Sequence, residues 1–275
     1  MLRILSDLHF RDASSRLKCL EVLEPLLEGV DELWLNGDTC DNQTGMEPAA
    51  VEKIRDFFRS RVPKVRFLTG NHDPDISDEH EAATADGQLW ATHGDVFLDD
   101  IVPWSSLREQ LHDRIQSIRD AHPERGYTSF EDRIATMREA CTGFSRECDP
   151  ERHDFFYRLR RLGTELFPPQ QVSAMLNTWW TIADRAVESA SEWRPGARVI
   201  VTGHVHFPRV WRRGDFWVIN LGAFCGPLGA LTVECQEQLI TVRRVKWSGG
   251  RCHPGKVIRQ IPLASTPSVP VSPSA

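Results

Sequence analysis

In the first hundred residues, four short apolar runs each stop at a polar cluster. Leu2 to Ser6 leads into Asp7-Leu8-His9, and Glu32 to Asn36 into Gly37-Asp38-Thr39-Cys40-Asp41. Val65 to Thr69 leads into Gly70-Asn71-His72-Asp73, and Leu89 to Thr92 into His93-Gly94-Asp95. Runs this short, bounded by turn residues, suit buried strands better than helices. Between them lie helical stripes, first Leu17, Leu20, Leu23 and Leu27, then Val51, Ile54, Phe57 and Phe58. Alternating strands and helices predict βαβ units and a largely parallel sheet. They also predict where chemistry collects, because sites in such sheets form beyond the carboxyl ends of the strands.

From about Leu98 to Ala197 the texture becomes helical and rich in charge. Stripes run through Leu107, Leu111, Ile115 and Ile118, then through Phe130, Ile134, Met137, Cys141 and Phe144. A short third stripe holds Phe155, Phe156, Leu159 and Leu162. The strongest runs from Val172 through Met175, Leu176, Trp179, Ala183 and Ala186 to Ala190, with Pro168-Pro169 before it and Pro195-Gly196 after it. Residues 98–197 therefore read as a helical insertion, or cap, in a core made of 1–97 and 198–265. Strands resume at Val199 to Thr202, Val210 to Arg212, Phe216 to Asn220, Gly229 to Cys235 and Leu239 to Trp247. No helix separates them, which predicts antiparallel pairing there. The fold class is α/β, with two packed sheets and helices outside. The Pro/Ser-rich end, 266–275, reads as a disordered tail.

A chain of 275 residues, 40% hydrophobic and 26% charged, suits a globular protein. Its net charge of -6 argues against nucleic acid as the main partner. Seven cysteines without a CxxC pair argue against a disulfide framework or a thiolate zinc site. The chain enters its first strand at once, and no apolar run reaches the roughly 20 residues that span a bilayer. A cytoplasmic protein with reduced thiols is the expectation.

A fifth motif, Gly203-His204-Val205-His206, follows the strand at Val199 to Thr202. Five of the ten histidines fall inside the five motifs. Together the motifs bring carboxylates, an amide and imidazoles to one sheet edge, a donor set for two adjacent divalent metal ions. Such a pair activates water and neutralises a phosphoryl oxygen, which points to hydrolysis of a phosphoester. Asp38 reads as the carboxylate shared by both ions. Asp7 and His9 lie two apart, as do His204 and His206, so each pair shares a face if the backbone is extended. Asn71 offers an amide oxygen and His93 another imidazole. Mixed O and N donors favour manganese or iron, with magnesium and zinc compatible. Asp95 reads as a turn residue rather than a ligand.

The ordered set of five resembles the calcineurin-like metallophosphoesterase superfamily. The resemblance implies a four-layer αββα sandwich. It implies Asp7, His9, Asp38 and His206 on one ion, and Asp38, Asn71, His93 and His204 on the other. His72 matches the family's histidine near the leaving group or a phosphoryl oxygen, and Asp41 an acid that would orient His72 or a metal ligand. Three features also resemble the UDP-2,3-diacylglucosamine hydrolase branch. These are His93-Gly94-Asp95 before a helical insertion of roughly 100 residues, the closely following His204-Val205-His206, and Leu221-Gly222-Ala223-Phe224. That branch commonly shows Gly-Asn-Arg-Asp where this chain has Gly70-Asn71-His72-Asp73.

The expected substrate is a phosphorylated small molecule or a nucleotide-linked lipid, with peripheral membrane contact in the lipid case. A nuclease or cyclic-nucleotide phosphodiesterase is the rival enzyme. A metal-binding scaffold whose insertion holds a partner protein is the rival of another class. Trp179-Trp180 reads first as helix packing and second as a pocket wall. Arg158, Arg160 and Arg161 read as a solvated helix face.

Overall fold

The computed structural model describes residues 1–12, 14–41, 47–143 and 169–264. β1 (Leu2–Leu5), β2 (Glu32–Asn36) and β3 (Lys64–Leu68) pair in parallel, with register Leu5 to Leu35 to Phe67. Their side chains alternate between faces. Ile4 and Trp34 point into the space between two sheets, while Leu5, Leu33 and Leu35 point to the outer face. There they meet a 3-10 turn at Leu20–Leu23, α1 (Glu24–Leu27) and α2 (Pro48–Arg59). The leucine stripe from Leu17 is buried as its spacing requires, but it is carried by one 3-10 turn and one short α turn rather than a regular helix.

The second sheet has the order β4 (Glu81–Thr84), β5 (Leu89–Thr92), β6 (Val199–Thr202), β8 (Phe216–Asn220) and β7 (Arg209–Arg213). Here the antiparallel expectation fails in part. β6 pairs β8 in parallel, because β7 steps out to the edge and β8 takes the place beside β6. β5 also pairs β6 in parallel, across the whole helical segment. β9 (Leu231–Gln236), β10 (Leu239–Ser248) and β11 (Arg251–Pro262) do pair antiparallel, and they extend the first sheet beyond β1.

β4 and β11 are strands that the apolar pattern does not mark. Glu81-Ala82-Ala83-Thr84 has one β-branched residue, Thr84, and no aromatic. β11 contains Pro254-Gly255, which pairing accommodates through register shifts around Arg243.

Among the described residues, three helices cover the outer face of the second sheet: α3 (Arg108–Ala121), α4 (Phe130–Cys141) and α5 (Pro169–Trp193). Leu111, Ile115, Phe130, Met137 and Ile182 pack with Trp90, Ile200 and Val218 of the sheet. Ala183, Ala186 and Ala190 let α5 lie close, and all three are fully buried. The result is helix, sheet, sheet, helix. Ser129 caps α4, its Oγ accepting the Asp132 N–H at 3.1 Å. The stripe from Phe155 to Leu162, the arginines at 158, 160 and 161, Phe144 and the tail at 266–275 lie outside the described residues. Among the described residues no helix is long and apolar enough to cross a membrane.

Candidate metal centre

The carboxyl ends of β1, β2 and β3 in one sheet meet those of β5 and β6 in the other. Backbone bonds tie the five loops together. Asp7 N–H donates to Gly37 O at 3.1 Å, His9 N–H to Asp38 O at 2.9 Å, and Gly203 N–H to His93 O at 2.8 Å. Asn36 Nδ2 crosses between the sheets to Thr92 O at 3.0 Å. The Asp73 carboxylate accepts from the backbone N–H groups of Asp38, Thr39, Cys40 and Gly70 at 2.7–3.3 Å, so it clamps the second motif to the third.

Side chains converge here because the backbone leaves the extended region. Asp7 (φ 52°), His9 (φ 47°), Asp38 (φ 51°), His204 (φ 68°) and His206 (φ 52°) are all left-handed. Aspartate and histidine tolerate that conformation better than most residues, yet each still costs on the order of 1 kcal/mol. Strain of this kind clusters at functional sites. Sharing a face of an extended segment is therefore not what aims these residues. His204 and His206 in fact turn to different groups. The loops also pass so close that Gly203 and Gly70 have no room for a side chain. A Cβ at Gly203 would collide with Asp7 Oδ2 and Ser6 Oγ, and one at Gly70 with Asp38 Oδ1.

Two donor groups that share Asp38 result, and a third, His9, His206 and Cys225, overlaps the first. In the first, Asp7, His9, Asp38 and His206 place one donor atom each within 4.8 Å of one another. His206 Nε2 lies 3.2 Å from Asp7 Oδ1 and 3.0 Å from His9 Nε2. In the second, Asp38, His93 and His204 do the same. Asn71 Oδ1 lies 3.3 Å from His93 Nε2, which is itself 3.4 Å from Asp38 Oδ2. Asp38 belongs to both groups. His72 belongs to neither. Its Nε2 lies 4.0 Å from Asp38 Oδ2, its Nδ1 3.5 Å from Asp41 Oδ2, and its ring stands edge-on to His9 at 4.7 Å. Asp95 opens a one-turn 3-10 helix, and its Oδ1 accepts the Val96 N–H.

Electrostatics agree with a cation site. Burial, the largest influence on Asp7, would raise its pKa, but hydrogen bonds with His206 and His9 outweigh it and hold the carboxyl well below the usual range. Asp38 is also held well below, with burial opposed chiefly by His93 and His72. Burial would lower His9, yet Cys225, Asp7 and Asp38 raise it to about 9. Burial and repulsion from His93 push His204 down to about 3. Without metal, protons on imidazoles balance the carboxylates, in the place that cations would take. The donor set thus fits two divalent ions.

A pH dependence follows from His9. Its raised pKa means that the folded, metal-free chain binds this proton more tightly than the unfolded chain. That stability is fully present below about pH 6.5 and is lost as pH rises through about 9. Metal competes for the same nitrogen, so metal affinity runs the other way. Co²⁺ affinity measured by titration should rise at least about tenfold between pH 6.5 and about 8.5. An affinity that is flat over this window contradicts the assignment of His9 to the cation site.

Sequence reasoning missed three neighbours of the site. Ser6 Oγ donates to Asp7 Oδ2 at 2.5 Å. Ile101 O accepts from His204 Nε2 at 2.6 Å. Cys225 Sγ lies 3.6 Å from His206 Nδ1. None of the three carries a local sequence signal for this role.

A helix–sheet–sheet–helix sandwich with the polar loops of both sheets meeting at one edge is the metallophosphoesterase architecture. Residues 2–208 match the family model described as calcineurin-like phosphoesterase, and the chain belongs to that family. No curated protein matches it. Similar solved structures include a dimetal phosphatase from Danio rerio, with 12% identity and a TM-score of 0.45, covering 96% of this chain and 98% of that one. Another is a conserved predicted phosphoesterase from Streptococcus pneumoniae TIGR4, with 14% identity and a TM-score of 0.38, covering 95% and 96%. A third is wild-type Vps29 complexed with zinc from Entamoeba histolytica, with 12% identity and a TM-score of 0.42, covering 95% and 98%.

Proposed function

We propose that this chain is a dinuclear metal-dependent hydrolase of phosphoester or pyrophosphate bonds. The observation that carries the reading is Asp38, one carboxylate shared by two otherwise separate donor groups. Asp7, His9, Asp38 and His206 would hold one divalent ion, and Asp38, Asn71, His93 and His204 the other. Manganese or iron suits the donor mixture best. When bound, the two ions supply an activated water and neutralise phosphoryl charge. His72 stands beside this edge without joining it, placed to donate a hydrogen bond from Nε2 to a phosphoryl or leaving-group oxygen. Asp41 faces the other nitrogen of that ring and orients it.

The substrate reading is a nucleotide-linked lipid such as UDP-2,3-diacylglucosamine, met in the cytoplasm or at a membrane surface. Aromatic rings beside the second histidine motif support it. Trp104 lies 5.4 Å from His204, and Phe207 stacks on Trp179 at 4.5 Å. Arg209 lies over both Phe207 and Trp211. Trp179 is fixed by Nε1–H donation to Val205 O at 2.9 Å, so it packs and flanks the edge at once.

The test is hydrolysis by metal-stripped protein reloaded with Mn²⁺, Fe²⁺, Mg²⁺ or Zn²⁺. Substrates are an aryl phosphate, a bis-aryl phosphate and UDP-2,3-diacylglucosamine. Turnover of at least one, dependent on added ion, is expected. A protein that binds two ions yet turns over none of them would be a scaffold rather than an enzyme. Turnover of the diester alone would favour the nuclease or phosphodiesterase reading.

A further inference from the structure

Three imidazoles at the metal edge each turn one nitrogen to the donor groups and engage the other elsewhere. His93 turns Nε2 to Asp38 and Asn71, while its Nδ1 meets Asn36 O at 3.0 Å. His204 donates from Nε2 to Ile101 O at 2.6 Å, which leaves Nδ1 for its group. His206 turns Nε2 to Asp7 and His9, and its Nδ1 lies 3.6 Å from Cys225 Sγ. Where the first two rings meet backbone carbonyls, the third meets a thiol.

His206 also has the greatest need of such a partner. Its side chain is 38% exposed, against 1% for His93, so packing alone does not fix the ring. Cys225 is itself held firmly. It is buried and forms an antiparallel bridge with Ser15. The residue before it, Phe224, donates its N–H to Asp7 O at 3.0 Å and accepts from Arg16 N–H at 3.1 Å. The sulfur is thereby tied to the backbone of the very motif that carries Asp7.

We propose that Cys225 is a positioning residue for His206. Its sulfur accepts the Nδ1–H, which fixes the tautomer and ring plane that aim Nε2 at the ion shared with Asp7, His9 and Asp38. The proposal rests on the dinuclear reading above. Hydrogen-bond partners on the far nitrogen of a ligand histidine typically set metal affinity as well as orientation. The sulfur lies close enough to His9 and His206 to raise direct ligation as the rival role. Geometry favours the acceptor role, because the two nitrogens of an imidazole face opposite sides and Nε2 already faces the ion group.

The probe is Co²⁺, whose visible bands report coordination without any substrate. In Cys225→Ala, Co²⁺ affinity for the weakened site should fall about 10–100-fold. Cys225→Ser keeps an acceptor and should bind within about threefold of the parent, on the same reasoning. The Co²⁺-loaded parent should show no sulfur-to-cobalt charge-transfer band in the near ultraviolet. Unchanged affinity in Cys225→Ala overturns the proposal, as does a serine variant as weak as the alanine one. A charge-transfer band that vanishes in Cys225→Ala overturns it in favour of direct ligation. A parent protein that binds no Co²⁺ overturns the metal-centre reading itself, and is thereby distinct from the other outcomes.

Discussion

Asp38→Asn is expected to remove metal-dependent hydrolysis almost entirely, by at least about 10³-fold, the upper range seen when a preorganised charge stabiliser is lost. The reason lies in its position. Asp38 Oδ2 faces His93 at 3.4 Å and His9 at 3.6 Å, so both donor groups lose their common carboxylate at once. Oδ1 accepts the His72 N–H at 2.8 Å, so the third motif loses an anchor too. Asparagine keeps the volume but not the charge, which leaves raised-pKa imidazoles such as His93 facing one fewer anion. Metal affinity should fall at both positions together. Comparing kcat/KM and bound metal for parent and variant decides it. A variant that retains one tight ion and measurable turnover would assign the shared role to another residue.

His72→Ala should separate chemistry from metal binding. The ring contributes to neither donor group, and its nearest acidic atoms are Asp38 Oδ2 at 4.0 Å and Asp41 Oδ2 at 3.5 Å. Metal content should therefore stay near that of the parent. Turnover should fall about 10²- to 10⁴-fold, the range of a positioned proton donor. The loss should be smaller for a substrate with a good leaving group, whose departure needs little protonation. Loss of both ions from this variant would make His72 a ligand instead. An equal rate loss for good and poor leaving groups would limit it to charge stabilisation.

The five motifs were legible because each donor type follows its own strand within a few residues. Local sequence is enough to place Asp7 after β1, Asp38 after β2 and His93 after β5. The three stripes of the 98–197 segment that fall on described residues were legible for a similar reason, since periodicity reports a buried face. What sequence left dark depends on chain segments meeting from far apart. β8 inserts beside β6 only because β7 moves to the edge, and nothing local to Phe216–Asn220 encodes that order. β11 pairs through bulges that make room for Pro254, a residue that argues against a strand when read alone.

The aim of the ligands was misread in its cause. Spacing by two suggested a shared strand face, whereas left-handed turns at Asp7, His9, His204 and His206 do the work. Cys225 reads as an ordinary buried thiol until the loop after β8 is seen to fold back against β1. Its meaning is a contact with a residue 19 positions earlier, and no pattern in the sequence announces it.

The central claim is a pair of ions held by one carboxylate. Titration of the metal-free protein with Mn²⁺, followed by electron paramagnetic resonance, tests it most directly. Two ions per chain are expected, with exchange coupling between them once both sites fill. A single ion per chain, or two ions whose spectra stay independent, would contradict it.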